Sequence, residues 1–111
     1  MSSDLVSDDL RVVETLLDTL QNDPQPLFRD KAAAALAYDQ IHLNKEQKAW
    51  VYEGLIRALS NSETQVREVS IQALSILTGQ TKGFHALYPD ERRERSIALW
   101  QQWLQEYRAS L

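Results

Sequence analysis

The chain has 111 residues, enough for one domain around one hydrophobic core. With 43% hydrophobic and 25% charged residues it has the composition of an ordinary globular protein. A net charge of −4 argues against a protein that grips nucleic acid through phosphates, and the absence of cysteine excludes disulfides and thiolate metal sites.

The opening MSSDLVSDDL lacks the basic start and apolar run of a secretion signal. No window approaches the eighteen or so consecutive apolar residues of a membrane span. Both features, with the missing cysteines, lead us to expect a cytoplasmic protein without membrane insertion. The charge is unevenly spread: residues 1–55 carry ten acids and five bases, and residues 56–111 carry six and seven.

Helical periodicity runs through the chain, and strand alternation is nearly absent. The first helix is predicted from about Asp8 to Gln21, with Ser7 as its cap and Leu10, Val13, Leu17 and Leu20 on one face. NDPQP (22–26) breaks the chain, and Pro26 suits the first turn of a second, alanine-rich helix, LFRDKAAAALAY. After the connector YDQIHLN, Asn44 and Gln47 form a capping box for a third helix over about 45–60. Ser62 and Gln65 give the same signal for a fourth helix over about 63–78, which Gly79 stops. Beyond the loop QTKGFHALY, Pro89 with Asp90 and Glu91 opens a fifth helix that reaches about Arg108.

Two of these units repeat. Glu14 and Glu53, Leu16 and Leu55, Leu20 and Leu59, and Asn22 and Asn61 match at a spacing of 39. Arg29 and Arg67, Ala35 and Ala73, and Leu36 and Leu74 match at 38, so the turn of the second hairpin is one residue shorter. Residues 5–111 are thus expected to form one all-α domain: hairpins over about 8–38 and 45–79, then a capping helix over about 89–108.

FRDKAAAALA and VREVSIQALSIL resemble the second helix of HEAT and HEAT-like repeats, the phycobilisome-lyase type included, in which an apolar residue and arginine precede spaced small residues and leucine. The resemblance covers about residues 10–79, with Ser70 standing where a small apolar residue is usual. The tail LTGQTKGFHALYPDERRERSIALWQQWL is similar to the closing segment of bacterial HEAT-like proteins. The resemblance implies a short α-solenoid whose second helices line a concave protein-binding face. Because HEAT-like repeats also occur in lyases that attach bilins to phycobiliproteins, it permits as an alternative an accessory subunit of a bilin lyase or another tetrapyrrole-handling factor, although the lyases of that type are much longer.

Signals for chemistry are sparse, and no catalytic residue, cofactor or metal ligand is assigned. His42 and His85 fall in predicted loops, and neither has the i+3 or i+4 partner of a helical zinc site. GQTKG lacks the glycine spacing and the preceding strand of a phosphate loop. Arg92, Arg93 and Arg95 alternate with Glu91 and Glu94, the pattern of a solvated helix face. Arg29 and Arg67, beside Asp30 and Glu68, suit a structural bridge between turns.

A non-catalytic protein-interaction module, such as a small adaptor, assembly factor or chaperone, is the function this pattern favours. On a helical wheel Glu68, Gln72 and Ser75 point away from the core, and the equivalent set is Asp30, Ala34 and Ala37. This strip, edged by Lys31 and Arg67, is either a partner-binding surface or a merely solvated face. Trp50 lies beside the core stripe of the third helix and is expected to pack against a neighbour. In the fifth helix Ile97, Trp100, Leu104, Tyr107 and Leu111 share a core-facing stripe, and Trp103 at its edge is free to touch a partner. The protein is expected to be a monomer or weak oligomer.

Overall fold

The computed structural model describes the backbone of residues 2–111 and the side chains of residues 9–111. Five helices account for its regular structure: α1 (Ser2–Asn22), α2 (Pro26–Tyr38), α3 (Lys45–Ala58), α4 (Thr64–Thr78) and α5 (Asp90–Ala109). The first begins earlier than its sequence signals imply. Ser7, expected as its cap, falls inside the helix, and its side chain lies outside the described residues.

Local chemistry explains most of the remaining boundaries. Pro26 occupies the first turn of α2, where a missing N–H costs nothing. At α3 the capping box forms: Asn44 Oδ1 accepts the Gln47 N–H at 2.8 Å, and Gln47 Oε1 accepts the Asn44 N–H at 2.9 Å. Gly79 ends α4 in the left-handed region at φ 74°, a conformation that costs a side-chain-bearing residue about 1 kcal/mol or more. The predicted box at Ser62 does not form. Glu63 is the N-cap of α4, without a side-chain cap bond, and Gln65 Nε2 instead donates to the Pro26 carbonyl at 3.1 Å.

The hairpins pair α1 with α2 and α3 with α4, and they stack so that α1 meets α3 and α2 meets α4. Helix α5 then packs on α3, extending the first layer. The principal extents of 47 × 35 × 18 Å are those of a slab two helices thick. Val13, Leu20, Leu36, Leu55, Leu59, Val66 and Leu74 are fully buried between the layers. Where α1 and α3 come close, a Cβ on Gly54 would lie 2.2 Å from Leu17 Cδ1, so glycine is what lets the leucine seat there. Trp50 is half-buried against the core, as expected of it.

The repeat extends to individual hydrogen bonds. Arg29 Nε donates to the Asp23 carbonyl six residues back at 2.6 Å, and Arg67 Nη1 donates to the Asn61 carbonyl six residues back at 2.9 Å. Asp23 Oδ1 accepts the Gln25 N–H, and Asn61 Oδ1 accepts the Glu63 N–H. The counterpart of Asn61 is therefore Asp23 rather than Asn22, and the lost residue lies just before this turn.

The open end of the second hairpin is covered twice. The crossover of residues 79–89 buries Phe84 and Ala86, and α5 buries Ile97, Trp100 and Leu104. Trp100 is wholly buried, with its indole N–H donating to the Thr81 carbonyl at 3.0 Å. Leu111, expected on the same stripe, lies beyond the end of α5 and is exposed.

Two substitutions should move stability in opposite directions. Trp100→Ala leaves a large cavity and removes the hydrogen bond to the Thr81 carbonyl, and should lower unfolding free energy by about 3–5 kcal/mol in a denaturant titration. Ser70 is fully buried with no partner for Oγ, whereas its repeat equivalent is Ala32. Ser70→Ala should therefore raise stability by about 1 kcal/mol, read as a higher melting temperature.

Candidate protein-binding surface

Helices α2 and α4 lie side by side, and the 38-residue repeat brings equivalent positions into register along them. Asp30 and Glu68 are one such exposed pair, and Ala34 and Gln72 are another. Between the helices runs a shallow groove of about 70 Å³, floored by Ala33, Ala37, Val69 and Ala73. Asp30, Ala34 and Gln72 border it, and Tyr38 and Ile76 stand exposed along it. A second concavity lies between α4 and the crossover, with Glu68, Gln72 and Ser75 facing Phe84, His85 and Ala86. Gln72 belongs to both.

Ala37, expected to point outward, is buried in the groove floor, because a methyl group there lets α2 and α4 approach closely. Ser75 is half-buried. Tyr38 and Ile76 are the surface residues that sequence reasoning missed. A signal for them existed: they are 38 residues apart, both large, and both off the core stripe.

Arg67 is not at the edge of this strip. It is only 7% exposed, and every N–H of its guanidinium has an acceptor. Nε and Nη2 donate to the Ala86 carbonyl at 3.1 and 2.8 Å, Nη1 to the Asn61 and Ser62 carbonyls at 2.9 and 3.0 Å, and Nη2 to Thr64 Oγ1 at 3.2 Å. Burial holds its pKa below the usual arginine value, and nearby Arg93 adds to the shift while Asp90 and Glu68 oppose it. Five donors on neutral oxygens keep the buried cation solvated by the chain itself. No donor is left for a partner.

Lys31 is also off the strip. It faces a different groove, between α1 and α2, together with Leu16, Thr19, Asp23 and Phe28. Trp103 is half-buried in an aromatic cluster that joins α5 to α3. It meets Tyr52 edge-on at 4.9 Å, Trp100 edge-on at 5.5 Å, and stacks with Tyr107 at 5.5 Å. Its rings are thus engaged internally, and only its border with Lys82, Leu99 and Glu106 faces outward.

The histidines make local contacts. His42 Nε2 lies 3.3 Å from Asp9 Oδ1, and His85 Nδ1 accepts the Leu87 N–H at 3.1 Å. Among the described residues no group of three His, Cys, Asp or Glu side chains is placed to hold a metal ion. In the arginine cluster Arg93 donates to the Tyr88 carbonyl at 2.8 Å and pairs with Asp90, while Arg92 covers the Tyr88 ring at 3.7 Å. No described helix is long and apolar enough to cross a membrane. Comparison of the chain with protein-family models, with curated proteins and with solved structures returns no match.

The aromatic cluster makes a pH prediction. Burial, with a smaller contribution from Tyr107, pushes the Tyr52 phenol above its ordinary value of 10.0, and burial does the same to Tyr107. Above pH 10 the unfolded chain releases these protons before the folded one does, so folding stability falls as pH rises. Thermal melts should be steady across neutral pH and drop from about pH 10 upward. Tyr107→Phe, which also removes the hydrogen bond to the Lys45 carbonyl, should make that drop shallower.

Proposed function

We propose that the protein is a non-catalytic interaction module that binds a helical, basic segment of a protein partner along the α2–α4 face. The observation that carries this reading is the groove itself: an alanine floor, two exposed large side chains at Tyr38 and Ile76, and the exposed carboxylates of Asp30 and Glu68. Small residues let another helix come close, Tyr38 and Ile76 offer apolar contact, and the two acids favour lysine or arginine on the partner.

The paired arginine contacts of the two hairpins support a HEAT-like architecture, in which second helices form the binding face. An adaptor, assembly factor or chaperone role follows from that arrangement. The groove of about 70 Å³ between α2 and α4 accommodates one or two side chains of a peptide. A cytoplasmic setting suits a chain without cysteine.

The test is capture from native extract on the immobilised protein, with mass spectrometry, alongside a Glu68→Arg, Gln72→Arg double variant. Partners held by this face should be lost from the variant while its helicity and melting temperature stay unchanged. Retention of the same partners by a folded double variant would sink the proposal.

A further inference from the structure

The two ends of the stack are treated differently. Beyond the second hairpin, the crossover and α5 cover the apolar face. The first hairpin has no such cover on its outer side, among the described residues, and the repeat tells what that side is built for.

In the second hairpin, the face turned toward the first includes Gly54, which opposes Leu17, and Val69, which borders the α2–α4 groove. Val51 and Val66 on those helices are 3% and 0% exposed. Their equivalents in the first hairpin, 39 and 38 residues earlier, are Val12 and Phe28, which are 49% and 43% exposed. Leu16, equivalent to the fully buried Leu55, is half-buried, and Thr19 stands where Ala58 is fully buried. The first hairpin thus leaves exposed, at Val12 and Phe28, apolar positions that the second hairpin buries. It forms an open groove of about 400 Å³ between α1 and α2.

We infer that this groove is a self-association surface, occupied by the same groove of a second copy of the chain across a two-fold axis. The charges select that occupant. Apolar Leu16 and Phe28 are flanked by both Lys31 and Asp23, so a two-fold sets the lysine of each copy against the aspartate of the other. Lys31, where the second hairpin has Val69, makes no ion pair within its own chain among the described residues. Head-to-tail stacking is closed off because α5 and the crossover cover the other end, so pairing stops at the dimer.

Sedimentation velocity on the full chain tests this. The wild-type protein should show a reversible monomer–dimer equilibrium, and Phe28→Asp should weaken dimerisation roughly tenfold or more with unchanged circular dichroism. Lys31→Asp and Asp23→Lys should each impair self-association, and a mixture of the two should form a heterodimer, because every opposed pair again carries opposite signs. Asp23→Lys also loses the contact to the Gln25 N–H, so its helicity is checked first, and the Phe28→Asp arm decides if it fails to fold. A wild-type chain that stays monomeric at high concentration overturns the inference. So does a folded Phe28→Asp protein that still dimerises, or a groove that captures only a different protein. None of these outcomes bears on the α2–α4 face, whose variants, Glu68→Arg and Gln72→Arg, lie on α4 and outside this groove.

Discussion

A single guanidinium holds the second half of this fold in place. Arg67 gathers the carbonyls of Asn61, Ser62 and Ala86 and the hydroxyl of Thr64 around one planar fork. Two of those carbonyls belong to the turn before α4, and the third belongs to the crossover after it. The side chain therefore pins the crossover, whose own backbone bonds close only two short turns, to the hairpin it must cover. Ala86 and Phe84 are buried as a result, and the Thr81 carbonyl is positioned to receive the Trp100 indole. Lysine could not replace this arginine, since a single ammonium cannot span acceptors on both sides of a helix end. Arg29 has the corresponding role in the first hairpin: it binds its own turn through the Asp23 carbonyl and reaches Gln65 and Glu63 at the start of α4. Each arginine ties its own turn to whatever follows in the stack.

Much of the architecture is legible because it is written in local signals. The Asn44–Gln47 box, Pro26, Gly79 and the Pro89–Asp90–Glu91 start act over three or four residues, and no tertiary contact displaces them. The failures share a cause: a more distant partner wins. Ser62 and Gln65 have the spacing of a capping box, but Gln65 is taken by Pro26 and Arg29 on the neighbouring hairpin, and Asn61 rather than Ser62 accepts the first free N–H. Ala37 is misplaced on a wheel because alanine carries no polarity to betray its side, and the close approach of two helices decides its burial. Arg67 sits on the wheel just off the core stripe, where a charged residue is normally solvated. Only the carbonyls contributed by the crossover, distant in sequence, make its burial possible.

The two tryptophans of α5 illustrate how a face reads differently once its neighbours are known. Trp100 lies on the stripe and is buried, as the periodicity requires. Trp103 lies at the edge, which on a helix in isolation means exposure. Here α3 supplies Tyr52, and the next turn of α5 supplies Tyr107, so the edge position closes a four-ring cluster. Such ring pairs add about 0.5–1.5 kcal/mol each beyond area burial, which compensates for α5 having no hairpin mate. Ion pairing of Arg108 with Glu53 at 3.1 Å lies at the exposed rim of the same junction and adds little.

Burial of Arg67 also changes the electrostatics of the α2–α4 face. With that cation at the strip's edge, Glu68 would sit beside a solvated positive charge of its own chain, and an incoming lysine or arginine would compete with it. In the folded protein the guanidinium is withdrawn beneath the surface and its donors are committed to backbone and hydroxyl oxygens. The exposed charges of the strip are then Asp30 and Glu68, set on adjacent helices by the repeat. Lys31, the other cation assigned to the strip, faces the opposite side of α2 with Asp23. The fold thus separates its charges by face, leaving an acidic strip over small residues on one side and a mixed-charge apolar groove on the other. On the proposed reading, an acidic face over an alanine floor would select a partner by charge and by closeness of approach together: an acidic helix fails the first condition and a bulky one the second.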